Sequence, residues 1–252
     1  MKNHLFRLAN KLYEHCYPAY YPLYVMWKAL SDWRERAVLR QLIQPGMTVV
    51  DIGANIGIYT RFFSELTGGS GRVFAFEPAP SNFKRLQENV GHLANVTLNH
   101  AAIGNCSGTI RLFLSSELNV DHRTFDTGDG RKSLDVPLVS LDEHFLTHQR
   151  VDLIKIDVQG YELSVLQGAR RVLKENRDVK VLMEFWPYGL TKASVVPYDV
   201  IEFIRSLGFE IRTTMDPAGQ PFDGAALDPK DIDQFCNLVI ARRKNTEILS
   251  VV

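Results

Sequence analysis

Short apolar runs alternate with helical patterns along most of the chain, and this alternation restricts the fold more than any other feature. Between the runs, apolar residues recur at helical spacing, as in Ile58, Phe62 and Leu66. Strands that are separated by single helices form a mostly parallel sheet with helices on both faces. The sequence therefore predicts an α/β chain with a Rossmann-like sheet of seven strands. The strand-like runs cover residues 47–50, 72–76, 96–100, 151–156, 179–183, 209–213 and 235–241.

The stretch between the third and fourth of these strands departs from the alternation. Residues 109–114 and 134–139 are strand-like, and they flank a polar loop over residues 115–132. Two such runs that are joined by a polar loop predict a hairpin. We expect this hairpin insertion to lie near the ligand end of the sheet.

The first 34 residues are predicted to form an aromatic and helical extension, and residues 35–252 the Rossmann-like domain. Residues 1–28 are rich in Tyr and Pro and are expected to be irregular or to form short helices, whereas a helix is expected to begin at Leu30. The aromatic side chains could form a wall for a sugar or lipid-linked acceptor. Packing on the sheet or on a second subunit is the simpler interpretation. These side chains are Tyr13, Tyr17, Tyr20, Tyr21, Tyr24 and Trp27.

The charge balance and the N-terminal sequence limit which partners the protein is expected to bind and in which compartment it is expected to act. Lys+Arg and Asp+Glu number 29 each, which argues against a nucleic-acid binder, because such proteins usually have a basic excess. Charged residues interrupt the N-terminal apolar stretch, so neither a signal peptide nor a transmembrane segment is predicted. A cytoplasmic enzyme is the expectation. Three widely spaced cysteines support neither a zinc cluster nor a disulfide framework.

The segment after the first strand, Asp51-Ile-Gly-Ala-Asn-Ile-Gly57, has the composition of a ligand-binding loop. In a doubly wound sheet, ligands bind at the carboxyl ends of the strands. Gly53 and Gly57 lack Cβ atoms, so the backbone can turn tightly and lie against a ligand. Asp51 can accept hydrogen bonds from an ammonium group or from the amides of the loop.

A second acidic residue, Glu77, follows the second strand. Its carboxylate is placed to accept both hydroxyls of a ribose, as acidic residues do in nucleoside-binding sheets. The loop glycines form G-x-x-x-G instead of G-x-G-x-x-G, so the cradle for a pyrophosphate is incomplete. Asp51 would also repel a phosphate, but not a sulfonium amino acid. The pattern therefore favours a nucleoside that carries positively charged sulfur over a dinucleotide.

Four motifs, in this order along the chain, resemble the FkbM family of methyltransferases over roughly residues 35–190. The resemblance implies a class I methyltransferase fold that binds S-adenosyl-L-methionine and transfers its methyl group, usually to an oxygen. The motifs are Asp51-Ile-Gly-Ala-Asn-Ile-Gly57, Phe76-Glu77-Pro78, Asn99-His-Ala-Ala102-Ile-Gly104, and Lys155-Ile-Asp-Val-Gln-Gly-Tyr-Glu162 followed by Val165-Leu-Gln-Gly168.

The resemblance also implies roles for individual residues. The ribose would be held by Glu77 beside Pro78. The adenine would be flanked by Ala101 or Ala102, which follow the third strand. The methionine end of the cofactor would be held by Asp51, Gly53, Asn55 and Gly57.

Gln159 departs from the family pattern, which usually has Asp-Val-Glu-Gly where this chain has Asp157-Val-Gln159-Gly160. If the glutamate of the family were a base or a metal ligand, glutamine could not do the same work. A residue that only positions its neighbours by hydrogen bonds would keep that role after the change.

Asp157, at the end of the fourth strand, is the leading catalytic candidate. This strand is expected to adjoin the first strand, so Asp157 would face the transferable methyl group. If the acceptor is a hydroxyl, Asp157 is either the general base that takes its proton or the group that fixes the amino group of the cofactor. Lys155 and Glu162 flank Asp157, and these two could pair with each other.

Glu184 and His122 are further catalytic candidates. Glu184 ends the fifth strand and is expected to point at the ligand edge of the sheet. His122 lies between Asp121 and Arg123 in the insertion, and a histidine near the cofactor could serve as a base with little change in its pKa. His144 is a similar candidate, although solvated loop residues are the simpler interpretation of both histidines. Their spacing matches no metal-ligand pattern, so no metal is expected.

The leading hypothesis is an O-methyltransferase that acts on a small molecule or on a glycan hydroxyl. A second hypothesis is an NAD-dependent oxidoreductase, and the broken glycine pattern counts against it. A third is a non-catalytic binding module with a methyltransferase-like fold, which Gln159 keeps open. Acceptor pockets come from loops and insertions, so the cofactor motifs do not name the acceptor. The oligomeric state, a homo-oligomer included, also stays open.

Overall fold

The computed structural model describes residues 11–13, 15–115, 122–126, 128, 130–217, 220–224 and 227–242. Its strands are β1 (Thr48–Ile52), β2 (Arg72–Phe76), β3 (Val96–Asn99), β4 (Ala102–Ile103), β5 (Gly108–Leu114), β6 (Lys132–Val139), β7 (Leu153–Ile156), β8 (Lys180–Phe185), β9 (Glu210–Thr213) and β10 (Cys236–Ala241). Its helices are α1 (Tyr17–Ser31), α2 (Trp33–Leu42), α3 (Ile58–Thr67), α4 (Pro80–Val90), α5 (Leu141–His144), α6 (Glu162–Gln167), α7 (Arg170–Glu175), α8 (Pro187–Lys192) and α9 (Pro197–Ser206).

Seven strands form the main sheet, in the order β3-β2-β1-β7-β8-β10-β9. The first five strands in this order run parallel to their neighbours, whereas β10 runs antiparallel to both β8 and β9. The strand order reverses between β1 and β7, so the crevice for a ligand is expected beside their carboxyl ends. The mostly parallel, Rossmann-like sheet that the alternation predicts is therefore confirmed.

The hairpin insertion between β3 and β7 is also confirmed. β5 and β6 pair in antiparallel register, with Gly108 opposite Leu138 and Leu114 opposite Lys132. The structure adds a third strand to the hairpin, because β4 pairs in parallel with β6. Since β4 begins three residues after the end of β3, this small sheet is attached at the carboxyl edge of the main sheet.

Apolar residues cover both faces of the central strands. Val50 packs in a cluster with α6, α7 and α9, whereas its neighbour Val49 packs with α2 and α3. Successive side chains of a strand point to opposite faces, and both valines are fully buried. Two charged residues, Asp51 of β1 and Lys155 of β7, interrupt this apolar layer as register partners. Charged side chains are almost never fully buried without a partner. These two residues therefore pair with each other, and they lie where the strand order reverses between β1 and β7.

The N-terminal region is more regular than predicted. α1 is a helix of 15 residues, where the sequence suggested irregular or short helical structure, because its tyrosines share one face that packs on the domain. The helix expected to begin at Leu30 is divided, since α1 ends and α2 begins on either side of Asp32. The Asp32 carboxylate lies 2.5 Å from Lys28 Nζ and accepts a hydrogen bond from the Tyr59 hydroxyl at 2.9 Å.

Three of the six N-terminal aromatic residues are core residues, as the packing interpretation predicts. Tyr13, Tyr17 and Tyr20 are buried against the loop after β1. The Tyr13 hydroxyl donates to Asn82 Oδ1 at 3.0 Å, and Asn89 Nδ2 donates to the Tyr17 hydroxyl at 2.6 Å. α1 is therefore anchored on α4 by specific polar contacts as well as by ring packing.

The division between an extension and a domain at residue 34 stays a proposal. Part of the extension, residues 1–10 and Glu14, lies outside the described residues. Within the ranges that the structure describes, no helix combines the length and the apolar character that a membrane span requires.

Two helix boundaries differ from those that the sequence predicts. The sequence predicts Ser81 as a helix cap, but α4 begins at Pro80 after Ala79, because proline is well suited to the first helical position. The single helix predicted after the fourth strand is divided into α6 and α7 near Gly168. There the chain packs so closely that a Cβ atom on Gly168 would lie 1.8 Å from the Gly104 carbonyl oxygen.

Candidate functional site

The loop after β1 holds three residues in the left-handed region of backbone conformation. The φ angle is +77° at Gly53, +52° at Asn55 and +89° at Gly57. Glycine adopts such angles at no steric cost, and asparagine tolerates them better than most residues. The amides of Gly53 and Ala54 both donate to the Phe76 carbonyl at 3.0 Å. The loop is therefore tied to the end of β2 before α3 begins.

The two glycines of the loop allow the tight turn that the sequence predicts, and they also allow close packing of the protein on itself. A Cβ atom on Gly53 would lie 1.9 Å from the Asp157 carbonyl oxygen, and one on Gly57 would lie 2.8 Å from Leu86 Cδ1. Neither distance can be accommodated without a shift of the neighbouring atoms. Gly53 thus lets the loop lie against the end of β7, and Gly57 lets α3 approach α4.

Gly53→Ala is expected to lower the free energy of unfolding by about 2–4 kcal/mol, because alanine would need a positive φ and would displace a backbone carbonyl. Urea unfolding followed by circular dichroism measures this loss. Gly69→Ala is the matched control, because no heavy atom lies within 4 Å of its Cβ position. If the two variants were equally stable, the close approach of the loop to β7 would be contradicted.

Glu77 lies at the end of β2 and is buried beside the loop. Its Oε2 accepts a hydrogen bond from the Asn55 amide at 2.8 Å, and its Oε1 accepts one from the Ala79 amide at 2.9 Å. Burial raises the pKa of Glu77 to about 7, although both amides favour the ionised form. Each carboxylate oxygen can accept two hydrogen bonds. Glu77 can therefore accept two hydroxyl donors while it keeps its contacts to the loop.

The residues predicted to flank an adenine lie next to Glu77 at the same edge. Ala101 and Ala102 are buried, and Ala102 packs in one cluster with Ala79. The Pro78 carbonyl lies 3.1 Å from the His100 ring nitrogen Nε2. The structure thus brings the predicted ribose and adenine residues together.

Lys155 lies between two carboxylates. Its Nζ is 3.8 Å from Asp51 Oδ1 and 3.4 Å from Asp157 Oδ2. Asp51 is fully buried, and its Oδ2 also accepts a hydrogen bond from the Thr60 hydroxyl at 2.7 Å. Burial alone would lower the pKa of Lys155, but Asp157 and Asp51 raise it. The predicted pairing of Lys155 with Glu162 is therefore wrong, because Lys155 faces β1 while Glu162 accepts a backbone amide.

Gln159 bridges the carboxylates that follow β7 and end β8. Its Nε2 donates to Asp157 Oδ1 at 3.1 Å and to Glu184 Oε2 at 2.6 Å. A glutamate could not donate these bonds, and it would place a third carboxylate beside the other two. Gln159 thus has the contacts of a residue that positions its neighbours by hydrogen bonds. This is the role that glutamine can keep where the family usually has glutamate.

The surroundings of Asp157 and Glu184 push their pKa values in opposite directions. Burial opposes ionisation of Asp157, but Lys155 and the Gln159 amide outweigh it and lower its pKa. Burial raises the pKa of Glu184 well above the usual range, and the carboxylates of Asp157 and Glu162 raise it further. Asp157 is therefore the stronger acid of the two, and Glu184 is the stronger base.

A cavity of about 300 Å³ opens beside these carboxylates. α1, α2, α3, β7, β8 and the start of β10 form its walls, so residues from distant parts of the chain meet there. Its acidic groups outnumber its basic ones by four to two. The lining residues are Trp27, Lys28, Ser31, Asp32, Glu35, Tyr59, Lys155, Ile156, Asp157, Leu182, Glu184, Phe235 and Asn237.

Tyr59 connects the N-terminal helices to this cavity. Its hydroxyl is within hydrogen-bond distance of Asp32 Oδ2, at 2.9 Å, and of Glu35 Oε2, at 2.7 Å. Its ring lies 5.7 Å from Lys28 Nζ and 5.1 Å from Lys155 Nζ, which is within cation–π range. Sequence reasoning missed these residues because no local motif joins them. The sequence feature that could have pointed to these residues is Lys28, because it is the one charged residue of α1.

Part of the insertion lies beside the loop that follows β7. Phe125 Cε1 would be 3.1 Å from a Cβ atom on Gly160, so this segment reaches the edge that carries Asp157. The candidate base His122 precedes it by three residues, and its Nδ1 accepts a hydrogen bond from the Ser115 amide at 3.1 Å. Asp121 lies outside the described residues.

His144 packs among aromatic rings rather than lying in a solvated loop. Its ring is edge-on to those of Phe74, Phe76 and Phe145, with centroid distances of 6.1, 5.0 and 5.0 Å. Burial lowers the pKa of His144. In the described part of the chain, no group of three His, Cys, Asp or Glu residues is arranged to hold a metal ion.

Comparison with protein families matches residues 51–211 to the methyltransferase FkbM domain. The match covers more than half of the chain. It includes the loop after β1, Glu77, and the bridge formed by Asp157, Gln159 and Glu184.

The proteins that are similar to this chain include two curated relatives and one solved structure. The hexuronic acid methyltransferase AglP of Haloferax volcanii is 28% identical over 186 residues, which cover 71% of each chain. The 2-O-methyltransferase NoeI of Sinorhizobium fredii is 30% identical over 163 residues, which cover 57% of this chain and 66% of NoeI. The fibrillarin of Aeropyrum pernix, in complex with natively bound S-adenosyl-L-methionine, has a TM-score of 0.44 and 18% identity, and the match covers 82% of this chain and 73% of fibrillarin.

Proposed function

This chain belongs to the FkbM family of methyltransferases, and we propose that it transfers the methyl group of S-adenosyl-L-methionine to a hydroxyl oxygen of a small molecule or glycan. Its main sheet has the seven strands predicted for the class I methyltransferase fold, and its cofactor is S-adenosyl-L-methionine. The choice of a hydroxyl acceptor rests on the carboxylate pair Asp157 and Glu184, which Gln159 bridges at the cavity.

The polar atoms around the loop after β1 fit the two ends of this cofactor. Asn55 Oδ1 is buried and makes no hydrogen bond within the described residues, so it can accept one from an ammonium group. Asp157, whose backbone touches Gly53, adds a negative charge on the same side. Glu77 can accept the ribose hydroxyls, and Ala101 or Ala102 would flank the adenine.

Asp51 fits an indirect role better than contact with the cofactor. It is fully buried and faces Thr60 and Lys155. Its charge supports Lys155, which in turn keeps Asp157 ionised. We therefore assign the ammonium contact to Asn55 and Asp157.

The cavity suits an acceptor that carries several hydroxyls. Trp27 and Phe235 offer ring faces, while Glu35 and Asn237 offer hydrogen-bonding groups. Sugars and related molecules have apolar ring faces and polar edges, so a site with both kinds of group complements them. The names of AglP and NoeI, a hexuronic acid methyltransferase and a 2-O-methyltransferase, support an oxygen acceptor.

Glu184 is the residue that we assign as general base. The cofactor supplies a methyl group on positively charged sulfur, so that the carbon–oxygen bond forms as the carbon–sulfur bond breaks. The hydroxyl proton then passes to a base, which works best with a pKa near the operating pH. Glu184 meets this condition better than Asp157, whose pKa is lowered. His122 is the alternative base, because the insertion reaches the same edge.

Two measurements on the purified chain test this function. Isothermal titration with S-adenosylhomocysteine and with NAD⁺ should show binding of the first alone. Incubation with S-adenosyl-L-methionine and a panel of glycans and small polyols should add one methyl group to a hydroxyl, as detected by mass spectrometry. Preferential binding of NAD⁺, or methylation of nitrogen or carbon acceptors only, would contradict the proposal.

The pH dependence of catalysis should distinguish between the two carboxylates. A general base must be deprotonated, so kcat/KM should rise with pH through the pKa of the base. Because the pKa of Glu184 is well above the usual range for glutamate, the rise should extend toward neutral pH. If Asp157 were the base, its lowered pKa would complete the rise in the acid range. Initial rates across pH, at low acceptor concentration, separate these outcomes.

A further inference from the structure

The outward face of α1 carries no charged side chain. The one charged residue of α1, Lys28, is turned toward the cavity and pairs with Asp32. Surface helices of globular proteins normally have polar residues on the side that faces solvent. The exposed residues of this face include Pro18, Pro22, Leu23, Met26, Trp27 and Leu30.

These apolar side chains form a continuous stripe with high exposure. Met26 and Leu30 lie one turn apart, and their exposed fractions are 58% and 70%. Trp33, at the start of α2, extends the stripe and is 58% exposed. Contiguous exposed apolar surface usually marks a site of interaction.

The inner face of α1 is fixed, so the stripe cannot turn into the core. Tyr17 and Tyr20 are buried on that face. Asn89 donates to the Tyr17 hydroxyl at 2.6 Å, and the Arg85 guanidinium lies 3.9 Å from the centroid of the Tyr17 ring. Within the described part of the chain, the apolar stripe therefore stays on the outward side of α1.

The stripe lies in the basic part of an otherwise acidic chain. Residues 1–42 contain seven Lys or Arg and three Asp or Glu, whereas the remaining residues contain 22 basic and 26 acidic side chains. Arg34 is exposed directly beside the stripe, with its guanidinium 5.1 Å from the centroid of the Trp33 ring. Exposed apolar side chains and tryptophans beside basic side chains are features of protein surfaces that bind anionic membranes.

We propose that α1 docks the protein on an anionic lipid bilayer through this stripe. A second copy of the chain is a poorer occupant, because a two-fold contact through α1 would bring two basic regions together. Basic side chains instead complement anionic headgroups, while Leu23, Met26 and Leu30 enter the boundary with the acyl chains.

Docking in this way would place the catalytic cavity next to the membrane. Trp27 belongs to the outward face of α1 and also lines the cavity. An acceptor at the membrane surface would therefore have a short path to Asp157 and Glu184. The docking itself does not depend on the proposed acceptor, so vesicle binding and methyl transfer can fail independently.

Co-sedimentation of the full chain with lipid vesicles tests the proposal. The two kinds of vesicle are phosphatidylcholine alone and phosphatidylcholine with a quarter of phosphatidylglycerol. We expect the wild-type protein to sediment with the anionic vesicles, with a partition coefficient at least about tenfold higher than for the neutral ones. Rising salt should weaken this binding, because it screens the headgroup charge.

A double variant and a matched control identify the surface that binds. Met26→Glu with Leu30→Glu should lower the partition coefficient at least about tenfold, and circular dichroism would show that it is folded. Leu146→Glu is the control, because Leu146 is 77% exposed and lies after α5, away from α1. Absence of vesicle binding by the wild-type protein, or equal binding by the double variant, would overturn the proposal. A wild-type dimer that the double variant dissociates would also overturn it in favour of self-association.

Discussion

Glu184→Gln should lower kcat by about 100- to 10,000-fold, which is the usual contribution of a general base. Glutamine keeps the size of the side chain but cannot accept the hydroxyl proton. The dissociation constant of S-adenosylhomocysteine should change by less than about threefold, because Glu184 acts on the acceptor. Steady-state kinetics with an identified acceptor, together with isothermal titration, give both numbers.

The variant Asp157→Asn supplies the contrast that makes this result specific. Asp157 is proposed to hold the ammonium group, so its change should raise the dissociation constant of the cofactor. Glu202→Gln, on the exposed side of α9, should leave both numbers unchanged. If Glu184→Gln kept full activity while Asp157→Asn lost activity at unchanged affinity, the base would be Asp157.

Lys155→Met should lower the free energy of unfolding by about 3–5 kcal/mol, because it leaves the buried Asp51 carboxylate and the partly exposed Asp157 carboxylate without their cation. Asp51 lies 3.8 Å and Asp157 3.4 Å from Lys155 Nζ, and Asp51 is fully buried. Methionine fills a similar volume, so the loss would reflect charge more than packing. Urea unfolding monitored by circular dichroism measures the effect. Lys174→Met, at an exposed position of α7, should change stability by less than about 0.5 kcal/mol.

The pH dependence of this loss has a definite sign. Burial holds the folded-state pKa of Asp51 above its unfolded value, and without Lys155, which lowers it, this pKa should rise further. Such a raised pKa stabilises the fold below the unfolded pKa, and this stabilisation disappears as pH rises through the folded pKa. The deficit of Lys155→Met relative to wild type should therefore be smaller at acid pH than at neutral pH. A deficit that is constant across pH would mean that lost packing, not lost charge, is responsible.

The spacing of apolar residues along the chain predicted the strands of the main sheet and of the insertion with little error. The run over 72–76 has the bounds of β2, and the hairpin flanks the loop that the sequence indicated. Strands in such a sheet are buried on both faces, so their apolar runs are read directly from the sequence. The candidate ligand residues at the strand ends were predicted from the same topology, since parallel strands end at one edge.

The contacts of charged residues could not be read in this way. The pairing of Lys155 with Glu162 was predicted from nearness in sequence, but register places Lys155 opposite Asp51 on β1. The loop glycines were predicted to let the backbone turn tightly and lie against a ligand, whereas the contact of Gly53 with the Asp157 carbonyl was not predicted. Both contacts depend on which strands are neighbours in space. Local sequence patterns do not give this information, because it is fixed only when the whole chain folds.

The N-terminal helices were the least predictable part of the site. Tyr59 contacts the side chains of Lys28, Asp32 and Glu35 at the cavity. No motif links these positions along the chain. Their arrangement depends on the break at Asp32, which tertiary contacts stabilise more than local propensity does. A helix that is apolar on its outward face also gives no periodic signal for which side meets the protein.

The contact between Gly53 and the Asp157 carbonyl has a consequence for protein engineering. The loop that is proposed to hold the methionine end of the cofactor and the segment that carries Asp157 share one van der Waals surface, so neither can be exchanged alone. A chimera that takes residues 51–57 from a distant methyltransferase should fold only if the turn after β7 comes from the same donor. Libraries built on this scaffold would therefore do well to randomise the two turns jointly.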